Sequence, residues 1–90
     1  FKIYKNTVDK LVNESKIDLS YSGSTVIGCY MVHDKIFCCN VGDSRAIIGA
    51  KDKSGGWMVQ PLSNDHKPSI PSEADRILKC KGRVDTFKDP

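Results

Sequence analysis

Three short stretches hold the residues able to do chemistry. In NVGDSRA, residues 40–46, Asp43 and Arg45 flank Ser44 directly after the apolar run KIFCCNV. A carboxylate at a strand end can turn toward solvent and accept backbone hydrogen bonds, as turn-forming Asp does. It can also face a hard divalent cation, which takes carboxylate oxygens directly or through a water. Gly42, just before it, would let the backbone bend or another group approach closely. The planar fork of Arg45 suits a phosphate or an internal carboxylate; we expect it to pair within the fold. In NDHKP, Asp65, His66 and Lys67 precede Pro68, which biases Lys67 away from helix, so the segment reads as an extended loop. An imidazole can move protons near neutral pH, but the expected job of this loop is to fix the sheet to the helix after it. A site role for His66 is the sharper alternative.

The third group is Cys29, Cys38, Cys39 and Cys80. They lack the paired CxxC spacing of a zinc site, and Cys38 and Cys39, adjacent in a strand, point to opposite faces. We expect buried reduced thiols, with a metal site on Cys29 and His33 as the alternative. No secreted disulfide framework is visible.

These residues need elements to hold them. Phe1, Tyr4, Val8, Leu11 and Val12 fall on one face of an amphipathic helix over about 1–13. NESKIDLSYSG is a polar connection in which Ser22, with Ser24 and Thr25 beyond it, is expected to bond backbone groups where the next strand starts. Strands are expected at about 24–32, 36–42, 44–50 and 57–62, the first two joined by a turn at His33 to Lys35 and the last two by KDKSGG. Pro71, Ser72 and Glu73 open a helix over about 71–81 with Gly82 as its expected end, and RVDTF gives a short strand at about 83–87. The order predicts an α+β fold, an antiparallel sheet meander with flanking helices. VIGCYMV and IFCCNV are apolar on both faces, which asks for a second layer, most simply another sheet. Ninety residues cannot supply it. The chain therefore reads as half of a sandwich, with a bare face expected to make the isolated segment self-associate. Its first residue, Phe1 rather than Met, adds to the expectation of a segment of something longer.

Fourteen Lys and Arg against 11 Asp and Glu leave +3, scattered along the chain, which is too weak a footprint for nucleic acid. No apolar run approaches the roughly 20 residues that cross a bilayer, and the first 16 residues carry charge throughout rather than a signal-peptide core. The expectation is a protein of the cytoplasm or nucleus, with no membrane partner.

SGST leading into a strand, NVGDSRA after it, then LSNDHKPSIPSEADRI and GRV resemble the central block of the metal-dependent serine/threonine protein phosphatases of type 2C, from about Ser22 to Val84. The resemblance implies an α-β-β-α four-layer sandwich of which this chain is a fragment. It also implies two or more Mg²⁺ or Mn²⁺ ions per complete catalytic domain, a metal-bridging water that attacks the phosphoester, and phosphorylated proteins as substrates. Asp43 matches the Asp that serves an auxiliary, more weakly held metal, and the loop of His66 leads toward a flap involved in substrate choice. The family's principal metal ligands, its phosphate-holding Arg and its proposed general-acid His lie in motifs with no counterpart here. No catalytic residue is expected within the segment, and metal binding should be weak or absent. Lys81 also stands where the family commonly has a second Gly. A catalytically dead relative acting as a binding or regulatory domain is the alternative. Another is a serine esterase with Ser44 as nucleophile, but it lacks the required Asp-x-x-His.

Overall fold

A computed structural model describes residues 2–86. Helix α1, Lys2–Glu14, carries Tyr4, Val8, Leu11 and Val12 along one face, and these line a concave surface with Leu19 and Val26. Phe1, the first residue of that expected face, lies outside the described residues. The helix meets the sheet through Tyr4, whose hydroxyl lies 3.6 Å from the Cys39 sulfur.

Strands β1, Val26–Val32, and β2, Lys35–Val41, form an antiparallel hairpin with Val32 opposite Lys35 and Val26 opposite Val41. The loop is two residues long, and His33 takes φ of +51°, the left-handed geometry that lets a tight turn follow the twist of its strands. Strands β3, Ile47–Lys51, and β4, Trp57–Pro61, form a second hairpin. Its loop is organised by Asp52, whose Oδ1 accepts from Ser54 N–H at 2.8 Å, Ser54 Oγ at 2.6 Å and Gly56 N–H at 2.9 Å. These bonds hold its carboxyl below the ordinary range, that of the Ser54 hydroxyl most strongly.

The expected four-strand meander is corrected here: the strands form two separate two-stranded sheets, β1–β2 and β3–β4. Backbone hydrogen bonding gives the reason. Past the end of β2 the Gly42 carbonyl accepts from His66 N–H at 2.9 Å, while the bond from Leu62 N–H to Ala46 C=O at 2.9 Å continues the β3–β4 pairing by one position. The Gly42 carbonyl, the next after β2, is thus taken by the later loop rather than by β3.

Helix α2, Pro71–Lys79, starts on Pro71, where the missing N–H costs nothing, and carries the ion pair Arg76–Glu73 at 2.7 Å within one turn. Its end also departs from expectation. Lys81, not Gly82, takes the left-handed conformation, at φ of +62°. Lys81 N–H donates to Leu78 C=O at 2.9 Å and Gly82 N–H to Ile77 C=O at 2.8 Å, the paired bonds that satisfy the last carbonyls of a helix. The strand expected at 83–87 is not formed over residues 83–86, where no partner strand pairs with it among the described residues; Phe87 lies outside them.

No described residue is fully buried, so the thiols expected in a core are not in one: Cys29, Cys39 and Cys80 are exposed and Cys38 is half-buried. Tyr30, Met31 and Phe37 on the first hairpin and Trp57, Met58 and Val59 on the second are each more than half exposed. The accessible surface is 8607 Å², against about 5,200 Å² for a compact monomer of this mass. The radius of gyration is 17.6 Å, against about 12 Å for a compact domain of this length. No helix among the described residues is long and apolar enough to cross a membrane.

Candidate functional site

The loops at residues 42–46 and 62–67, distant in sequence, are laced together. Gly42 makes the crossing possible. Its φ is +103°, and a Cβ placed there would lie 2.5 Å from Thr25 Cγ2 and 2.9 Å from Thr25 Cβ, so both backbone conformation and space exclude a side chain. Its N–H donates to His66 Nδ1 at 3.3 Å while its carbonyl accepts from His66 N–H at 2.9 Å. An Nδ1 that accepts is unprotonated, which leaves the other ring nitrogen to carry the proton of the neutral ring. The Asn40 amide donates to Gly42 C=O at 3.0 Å and to Asn64 C=O at 2.9 Å, joining the end of β2 to the second loop. Ser63 Oγ accepts from Ala46 N–H at 2.9 Å.

Arg45 closes the clasp. Its Nε donates to Asp65 Oδ1 at 2.9 Å and its Nη2 to Asp65 Oδ2 at 2.7 Å, the parallel two-bond geometry of guanidinium on carboxylate. Lys67 Nζ stands 3.5 Å from the same Oδ2. The Asp65 side chain is 10% exposed and that of Arg45 61%, so the acid is sheltered beneath the arginine. Hydrogen bonding from Arg45 lowers the Asp65 carboxyl to about 2 against some opposing desolvation, with Lys67 a smaller contributor, and the same pair raises Arg45.

Ser44 is tied by its hydroxyl to the Thr25 hydroxyl at 2.7 Å. Its partner is therefore a threonine and not an imidazole, and the nucleophile reading finds no base beside it. Thr25 thus bonds a side chain rather than the backbone groups expected of it, while Ser24 Oγ donates to the Thr25 carbonyl at 3.0 Å. Ser22 contributes through its backbone N–H, which donates to Leu19 C=O at 3.3 Å.

Asp43 sits between these fixed neighbours. It is exposed, and among the described residues its carboxylate has no hydrogen-bond or ion-pair partner. Gly42 before it and Ser44 and Arg45 after it are each bonded, so the acid is carried on a backbone held from both sides. No group of three or more His, Cys, Asp or Glu residues able to hold a metal occurs among the described residues. The donor set fits one carboxylate contributed to an ion whose other ligands come from elsewhere; it does not make a metal centre. Cys29 and His33 are not brought together with further donors either: Cys29 faces Cys38 across the hairpin and His33 is in its turn.

Sequence reasoning found Asp43, Arg45 and His66 but missed Asp65 as the partner of Arg45, and Asn40 and Ser63 as the bonds between loops. The clustering of polar residues in both NVGDSRA and SNDHK was the available signal. Their mutual contact, across about twenty positions, was not in either stretch alone.

Clasped loops at the ends of two short antiparallel hairpins, with a helix before and a helix after them, define an α+β arrangement. Residues 2–89 match the family described as Protein phosphatase 2C, and the chain belongs to that family. It is 39% identical over 89 residues to Probable protein phosphatase 2C 64 of Oryza sativa subsp. japonica, covering 98% of this chain and 21% of that protein. It is 39% identical over 88 residues to Probable protein phosphatase 2C 52 of Arabidopsis thaliana, covering 98% of this chain and 19% of the relative. It is 40% identical over 84 residues to Probable protein phosphatase 2C 73 of Arabidopsis thaliana, covering 92% and 22%. The chain thus spans about a fifth of the length of the curated relatives it matches. No solved structure matches it.

Proposed function

We propose that these residues form part of the catalytic domain of a metal-dependent protein serine/threonine phosphatase, which hydrolyses phosphoserine and phosphothreonine in protein substrates. Within it Asp43 supplies a ligand to an auxiliary Mg²⁺ or Mn²⁺. The observation that carries the role of Asp43 is its unpartnered carboxylate on a backbone pinned by Gly42–His66, Ser44–Thr25 and Arg45–Asp65. When bound, the metal ions would supply the acidified water that attacks phosphorus. The work of this chain is positional: Arg45, Asp65 and His66 hold the two loops, and Asp43 offers its oxygens. Arg45 is committed to Asp65, and His66 Nδ1 to Gly42, so neither is assigned a role on substrate. With no group of three or more metal-holding residues among the described residues, the chain by itself is inactive.

The test compares the chain alone with a chimera. In the chimera these residues replace the matching segment of Probable protein phosphatase 2C 64, and the unaltered relative is assayed beside it. The chain alone should not hydrolyse a phosphoserine peptide with Mn²⁺ present. The chimera should retain metal-dependent turnover, and Asp43→Ala in it should raise the Mn²⁺ concentration required by an order of magnitude or more, roughly the loss expected for one carboxylate ligand. Turnover by the chain alone, or a folded Asp43→Ala chimera with unchanged metal dependence, would overturn the assignment.

A further inference from the structure

Cys29 and Cys38 are directly opposite partners in the β1–β2 hairpin. The two-residue loop fixes what kind of pair they make. Val32 and Lys35 flank it and form the hydrogen-bonded pair that closes such a turn. Alternation along an antiparallel ladder then makes Met31–Ile36 non-hydrogen-bonded, Tyr30–Phe37 hydrogen-bonded and Cys29–Cys38 non-hydrogen-bonded. Partners of the last type have Cα atoms about 4.5 Å apart and side chains leaning together, at the short end of the roughly 4.4–6.8 Å that a disulfide spans.

The other two cysteines are elsewhere. Cys39 is on the opposite face of the strand, its sulfur 3.5 Å from Gly28 C=O and 3.6 Å from the Tyr4 hydroxyl. Cys80 caps the end of α2. All four are free thiols, with Cys29 exposed and Cys38 half-buried. Burial raises the Cys38 thiol, with its neighbour Cys29 a smaller contributor.

The geometry points to Cys29 and Cys38 as an oxidisable cross-strand pair that reacts with a peroxide and closes a reversible disulfide within one chain. Exposed Cys29 meets the oxidant first. Its thiolate attacks one peroxide oxygen, the O–O bond breaks, and the departing hydroxide takes up the proton the thiol released, leaving water and a sulfenic acid. The Cys38 sulfur then attacks the Cys29 sulfur, the S–O bond breaks, and the second hydroxide leaves as water with the Cys38 proton. Two thiols are oxidised by two electrons and one peroxide is reduced to two waters. Cys29 is exposed, and exposed disulfides are the labile ones, so thiols should reopen it.

The reduced 90-residue chain would be treated with one equivalent of hydrogen peroxide in dilute solution, alkylated, digested and mapped by mass spectrometry. The expected product, read under denaturing conditions, is a single chain two hydrogens lighter with no covalent link to another, Cys29 joined to Cys38, Cys39 and Cys80 alkylated, and full recovery on adding dithiothreitol. The double variant Cys39→Ser with Cys80→Ser should give the same bond; Cys29→Ser should lose it. The map of the unaltered chain decides even if a variant folds poorly. Alkylation of all four thiols, a bond between any other pair, or dimers linked between chains would overturn the inference.

Discussion

Asp65 carries the charge balance of the clasp, and its titration should report whether the clasp is formed. Arg45 hydrogen bonding lowers its pKa from the ordinary 3.8 to about 2. A carboxyl depressed in the folded state contributes stability that is fully present above its unfolded value and lost as pH falls through the folded one. The contribution of Asp65 should therefore be intact at pH 5 and disappear between roughly pH 4 and pH 2. Carbon NMR of the Asp65 carboxyl checks this: the midpoint should sit near 2, and Arg45→Ala should return it toward 3.8, the ordinary value. A midpoint unchanged by Arg45→Ala would mean that the pair does not persist in solution. Gly42 is the second residue on which the clasp depends. Gly42→Ala should cost about 1–3 kcal/mol from the strained backbone alone, with more from the clash against Thr25. Thr25→Ser removes the methyl but keeps the hydroxyl that meets Ser44, so it should recover only part of the loss. Amide exchange at His66 N–H, which donates to Gly42 C=O, reads both effects.

Elements were legible where local pattern decides them. The apolar face of α1 and the two hairpins are written in spacing and turn residues, because a helix repeats every 3.6 positions and a strand every two. The break between β2 and β3 was not legible. NVGDSRA contains nothing that forbids a ladder, and the bond that takes the Gly42 carbonyl to His66 joins residues more than twenty positions apart. The end of α2 was half legible: a glycine was expected there, but the left-handed site is one residue earlier. That offset gives a testable consequence. A non-glycine residue in this conformation costs about 1–2 kcal/mol, and Lys81 occupies it at φ of +62°. Lys81→Gly should therefore protect the Gly82 amide, which bonds Ile77 C=O, by about 1 kcal/mol in hydrogen exchange. Gly82→Ala should do the reverse, since a Cβ there would lie 2.7 Å from Ile77 Cγ2 and 3.0 Å from Ile77 O. Equal protection in the parent and Lys81→Gly chains would show that the helix end is not held in this geometry.

At the scale of the whole molecule, the covering layer expected over VIGCYMV and IFCCNV has a consequence for the isolated chain. The chain exposes 8607 Å², roughly 3,400 Å² more than a compact monomer of its mass would. A specific dimer needs only about 800 Å² from each partner, and the exposed apolar side chains of both hairpins give association a driving force. Hydrogen bonding adds a second route. Each sheet has two strands, so every strand is an edge with unpaired backbone groups. Isolated two-stranded hairpins are also marginal in water, which favours any packing that covers their faces. The isolated chain should therefore dimerise, exchange elements or aggregate at micromolar concentration. Tyr30, Met31 and Phe37, or Trp57, Met58 and Val59, should be buried against another copy. Sedimentation velocity measures the mass, and Met31→Lys with Met58→Lys, one charge on each hairpin, should shift the distribution toward monomer by opposing burial of those faces. In a domain that supplied the second layer the same residues would be internal, so this association would report the missing cover rather than a working oligomer. A cooperatively folded monomer that binds no apolar dye would mean that ninety residues close their own core, and the half-sandwich account of this fold would fail.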